Sequence, residues 1–120
     1  MPAPQNITTA SQLFLAVKEE NLYSNLILQT AKDFQLASVV LEEELNISTT
    51  PEKLVTLIED AVYAVIQKDT VSYLNLLYII DVPEKAINQL EPENTEQFAK
   101  DVAFLILKRC WLKVWYKAKY

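Results

Sequence analysis

The sequence predicts an all-α fold, a compact single-domain bundle of about five or six helices with short connections. Three observations carry that prediction. None of the 120 residues is glycine, so the φ > 0 positions of hairpin turns, bulges and phosphate-cradling loops lack their usual occupant. Apolar residues recur at steps of three and four through most of the chain. Helix-start signals stand at several of the breaks between those stretches. The composition, 51% hydrophobic and 22% charged, lies in the globular range.

Residues 1–8 carry two prolines and little periodic apolar content, which predicts a flexible N-terminal tail ahead of one helical domain over residues 9–120. A first helix starts near Thr9 and buries Leu13, Phe14 and Val17. The apolar face lapses between Lys18 and Asn21 and resumes as Leu22, Tyr23, Leu26, Ile27, Thr30 and Phe34, one side of a second helix. Residues 35–45 are read as helical, with Leu36, Val40 and Leu45 inward and Glu42 to Glu44 solvated. Thr50, Pro51 and Glu52 then give a cap, a first-turn proline and a dipole-compatible acid ahead of Leu54, Leu57, Ile58, Ala61, Val62, Val65 and Ile66. Asp69 or Thr70 caps a helix reaching Ile80. It is apolar almost all round, which predicts a central place in the bundle. Asp81 and Glu84 have capping-box spacing for a short helix ending near Leu90. Pro92 breaks it, and Asn94 or Thr95 caps a last helix over about 95–120, with Gln97 placed to reach back. Without glycine, asparagine is the expected left-handed C′ residue, and Asn21, Asn46 and Asn88 stand where helices could end.

The same counts narrow the chemistry. There is no histidine and one cysteine, so zinc sites and Glu-x-x-His di-iron centres cannot be assembled, and no cofactor is expected. Walker loops, dinucleotide fingerprints and EF-hand loops need glycine. No spacing suggests a nucleophilic triad, so the expectation is a non-enzyme without a small-molecule substrate. Glu42, Glu43, Glu44, Glu59 and Asp60 read as solvated helix faces in preference to an acid–base pair or ion site. Cys110 reads as a small buried hydrophobe in preference to a thiol activated by Arg109 and Lys113. Tyr63, Tyr73 and Tyr78 read as core residues with hydroxyls at the rim in preference to a ligand slot. Asn6-Ile7-Thr8 and Asn46-Ile47-Ser48 match a glycosylation acceptor, but no secretory signal accompanies them. A lone cysteine and no leader fit a cytoplasmic protein. The longest apolar run, Val102 to Leu107, is far short of the roughly 20 residues a spanning helix needs.

What remains is an unusual end. Residues 108–120 hold five basic residues, Lys108, Arg109, Lys113, Lys117 and Lys119, and no acid, while the rest of the chain has a formal charge of -10 and the whole -5. At 100° per residue, Phe98, Val102, Leu105 and Ile106 form one stripe, and beyond Lys108 that side becomes Arg109, Lys113 and Lys117. Leu107, Cys110, Trp111, Val114, Trp115 and Ala118 lie on the opposite arc. The apolar face rotates, and two tryptophans need cover.

Four accounts compete for this end and for the acidic body. The basic end folds on its own acidic body, with Trp111 and Trp115 closing the core. Alternatively Arg109, Trp111, Lys113, Trp115, Tyr116 and Lys117 form an aromatic and basic contact surface for an acidic partner, or for a second copy in a homodimer. In a third account the end meets an anionic membrane surface; nucleic acid is disfavoured, because phosphate contacts drive that affinity and the chain is acidic. In a fourth, the acidic body neutralises a basic partner in the manner of an antitoxin or immunity protein. The expected function is a small helical interaction or adaptor protein acting through the C-terminal surface.

Overall fold

The chain places its helix starts where side-chain oxygens can take up free backbone N–H groups. In a computed structural model describing residues 6–120, six helices form: α1 Ala10–Glu20, α2 Tyr23–Leu36, α3 Pro51–Lys68, α4 Thr70–Ile80, α5 Glu84–Asn88 and α6 Thr95–Lys119. Thr9 accepts from the Gln12 amide, Thr50 from Lys53, Asp69 from Val71 and Asn94 from Gln97, each at 3.0–3.1 Å. Gln97 does not reach back; its Nε2 donates forward to Asp101. Of the expected N-terminal tail, residues 1–5 lie outside the described residues, and Ile7 is buried, so packing begins ahead of Thr9.

Helix ends solve the missing-glycine problem in one repeated way. Among the described residues, positive φ occurs at Asn21 (58°), Ser38 (60°) and Asp81 (69°). At each, the following amide bonds back five residues and the residue's own amide bonds back three: Leu22 to Val17 and Asn21 to Lys18, Val39 to Phe34 and Ser38 to Gln35, Val82 to Leu77 and Asp81 to Tyr78. These are Schellman closures, and the residue after each left-handed position packs against the core. Asn21 is where it was expected; Asn46 and Asn88 are not left-handed.

One expected helix, one expected start and one placement are corrected. The helix expected over 35–45 does not form, because the Ser38 closure stops α2 and residues 37–50 run irregularly. Within that segment only Ala37 and Val39 are buried. Asp81 caps no helix start: it closes α4, and α5 begins after Pro83 without a side-chain cap. Finally, α4 is not central. Only Leu76 and Ile80 of its side chains are buried.

The centre belongs to α6, which packs against α1, α2, α3 and α4. Its interior residues are Ala99, Val102, Ala103, Ile106, Leu107, Cys110, Trp111 and Val114, and they join one core with Leu13, Leu26, Phe34, Leu54, Ile58 and Leu76. A radius of gyration of 13.5 Å matches a single compact body of this length. Among the described residues no helix is long and apolar enough to cross a membrane.

Candidate functional site

The end of α6 is built in two layers. The helix runs unbroken past Lys108, and both of its sides are occupied as far as Val114. Trp111 is 1% exposed and sits among the largest interior side chains, so it is removed from the contact surface expected of it. Its Nε1–H finds no acceptor among the described residues, a cost of about 1–3 kcal/mol carried against the large apolar area the indole buries.

Cations on either side of it are tied inward. Lys113 Nζ donates to Asp33 Oδ2 at 2.8 Å, and Asp33, 3% exposed, also accepts from Gln29 Nε2 at 3.0 Å. Cys110 lies against the same carboxylate, its thiol donating at 3.6 Å. Burial first, and then the Asp33 charge, push the Cys110 thiol up to about 12. The activated-thiol reading is thereby excluded: a group held so far above neutrality is not a thiolate at physiological pH. Arg109 spans the Asp81 turn, Nε donating to its carbonyl at 3.0 Å and a terminal nitrogen to its carboxylate at 2.9 Å. Lys119 pairs with Glu20 of α1 at 3.0 Å. Arg109 and Lys113 therefore fasten α6 to the ends of α4 and α2. They are withdrawn from the contact surface together with Trp111.

Trp115, Tyr116 and Lys117 remain, and the structure adds Tyr120. Trp115 is half-buried, while Tyr116, Lys117 and Tyr120 are exposed. The three rings form one cluster, with centroids 5.0 Å apart for Trp115–Tyr116, 6.4 Å for Trp115–Tyr120 and 5.8 Å for the stacked tyrosines. On the other side of the helix end, a groove of about 310 Å³ runs between α2 and α6. Leu28, Gln29 and Lys32 line it from α2, and Val114, Lys117 and Ala118 from α6. Among the described residues Lys32 and Lys117 have no ion pair or hydrogen bond. Val114 and Ala118 share the arc on which helical spacing sets them; nothing in the sequence placed Leu28 and Lys32 opposite.

Elsewhere the surface holds less chemistry. A concavity of about 760 Å³ between α1 and α3 is mainly apolar and includes Phe14, Leu15, Tyr23 and Val55 with Lys18 and Glu52. Its phenol is a brace, since Tyr23 OH donates to the Thr49 carbonyl, and burial, with Glu52 adding, pushes that phenol up. Tyr63 and Tyr78, expected inside, are exposed; Tyr73 is partly buried with an unpartnered hydroxyl. No group of three or more His, Cys, Asp or Glu among the described residues could hold a metal ion. Comparison with protein-family models, with curated proteins and with solved structures finds no match for this chain.

Proposed function

We propose that the protein is a non-catalytic interaction module whose contact surface is the outer end of α6, and that its partner is an acidic, partly apolar protein segment. The observation that carries this reading is the closeness of the half-buried Trp115 and the exposed Tyr116 and Tyr120 to Lys117 and Lys32, which have no ion pair among the described residues. Aromatic side chains give rigid contact area at low entropic cost, and unpaired lysines beside an apolar floor attract carboxylates without first breaking an internal bridge. The inward cations contribute differently: by holding α6 on α2 and α4 they make the outer turn a fixed platform.

The test is a titration of the isotopically labelled protein with a short peptide alternating glutamate and leucine, followed by amide shifts. Shifts concentrated at residues 25–32 and 114–120, weakened by salt and abolished by Lys117→Glu, are the expected result. Equal shifts with a lysine–leucine peptide, or none at that end, would contradict the proposal.

One observation favours a second reading, in which the acidic body takes a basic partner. Lys53 is held above its ordinary value by a hydrogen bond and ion pair with Glu43, and Glu42 and Asp60 add to the effect. That is the signature of a local negative field, and the lysine–leucine peptide perturbing residues 42–60 alone would move the function there.

A further inference from the structure

α4 presents a face that the chain itself leaves uncovered. Val71, Leu74 and Tyr78 are 75%, 57% and 81% exposed, and their spacing of three and four residues puts them on one stripe, as along the seam of a helix pair. The helix, TVSYLNLLYII, contains no charged residue. Asn75, at the edge of the stripe, donates weakly to the Ala37 carbonyl at 3.5 Å, which brings the end of α2 alongside. Next to that carbonyl in sequence stand Leu36 and Val40, at 59% and 89% exposure.

Together the five side chains offer about 600 Å² of apolar surface, the size of the largest patches found on monomers, which are often functional. Doubled by a two-fold axis, that is about 1,200 Å², the lower bound of stable specific interfaces. The stripe is also complementary to itself. Laid antiparallel about an axis between Leu74 and Asn75, the small Val71 meets the large Tyr78 of the other copy, the two Leu74 side chains lie about 1.5 Å apart along the axis, and the helix dipoles oppose. An uncharged stripe gives a charged partner nothing to pair with, whereas a second copy supplies the same uncharged surface.

We propose that the protein forms a two-fold dimer through α4, its Val71, Leu74 and Tyr78 stripe packing antiparallel against the same stripe of a second copy, with Leu36 and Val40 covered at its edge. This surface is separate from the outer end of α6 and leaves that end free. Two bodies of formal charge -5 repel, so the dimer tightens as salt is raised, opposite to the behaviour of the lysine-bearing end.

Sedimentation equilibrium of the full chain from about 10 µM to about 1 mM tests this. The expected result is a reversible monomer–dimer equilibrium, weakened at least about tenfold by Leu74→Lys and unaffected by Lys117→Glu. Leu74 is largely exposed, so the variant should fold, and its circular dichroism melt checks that. A cross-link provides a second readout that needs no destabilising change. Leu74→Cys should oxidise to a covalent dimer. Val71→Cys alone should not, because its copies sit about 9–10 Å apart along the axis at 1.5 Å per residue, while an equal mixture of Val71→Cys and Tyr78→Cys should. Cys110 is buried and gives no background. A monomer at every concentration overturns the proposal, as does a dimer that survives Leu74→Lys, or one that depends on Lys117 and loosens with salt.

Discussion

α4 has 11 residues without a charge and keeps a wide arc of them in solvent; α6 has 25 residues, among them Lys100, Asp101, Arg109 and Lys113, and supplies the centre of the core. Length decides between them. At 1.5 Å per residue α6 is about 37 Å long, and the longest dimension of the molecule is 37 Å, so this helix alone can run beside α1, α2, α3 and α4 together. An 11-residue helix spans under half of that distance. The charges on α6 do not bar it from the centre, because Arg109 and Lys113 leave its sides toward acids that α4 and α2 present. A central helix needs reach and paired charges more than it needs unbroken hydrophobicity.

The comparison is broken most directly by truncating one leucine on each helix. Leu107→Ala should cost about 2–5 kcal/mol in urea unfolding, whereas Leu74→Ala should cost under about 1 kcal/mol under dilute conditions. Equal losses would mean that α4 carries core packing after all. Next in size is the Asp33–Lys113 pair. Asp33→Leu strands a mostly buried ammonium and should cost about 3 kcal/mol, while the double variant Asp33→Leu/Lys113→Met should recover most of it. Failure of the second change to rescue the first would show that the carboxylate acts through Gln29 and Cys110 instead.

Alkaline stability sharpens the contrast further. The folded Cys110 thiol stays protonated up to about 12, while the unfolded chain ionises near 9.0. Between those values the folded state holds the extra proton, so stability present below pH 9 is lost as pH rises toward 12, by about 1.4 kcal/mol per pH unit from this group. Cys110→Ala should flatten that part of the slope in urea titrations compared across the window. The smallest effect concerns a turn: Ser38→Gly relieves a left-handed serine and should stabilise the fold by about 0.5–1 kcal/mol, read as a raised urea midpoint. A loss would mean that the serine side chain does more than tolerate its φ of 60°.

Capped starts at Thr9, Thr50, Asp69 and Asn94 were legible because each cap is a short-range bond between a side chain and an amide two or three residues on. The Asn21 closure was legible because asparagine, after glycine, most readily takes a left-handed φ. Ser38 and Asp81 were not, since a left-handed serine or aspartate is selected by the core contacts of the residue that follows it, Val39 or Val82. In the candidate site, Tyr116 and Lys117 were readable as exposed, but Arg109, Trp111 and Lys113 read as surface while serving as interior or bracing groups. One signal could have separated them. Asp33 falls at the inward spacing of Leu26, Ile27, Thr30 and Phe34, and an acid on a buried stripe demands a cation from elsewhere in the chain. The five basic residues at the C-terminus were the densest supply of such a cation. The rotated apolar face of α6 likewise becomes intelligible once both of its sides have neighbours.

The central claim is that α6 is structural as far as Trp115 and a contact surface beyond it. A chain ending at Trp115, without Tyr116 to Tyr120, tests this in one urea titration paired with the glutamate–leucine peptide titration. The account predicts a folded chain with a stability loss of about 1–3 kcal/mol, since the side chains removed are exposed but loss of the Lys119–Glu20 bridge leaves a mostly buried carboxylate behind, together with loss of the peptide-induced shifts. An unfolded product, or a folded one that still binds the peptide, would contradict it.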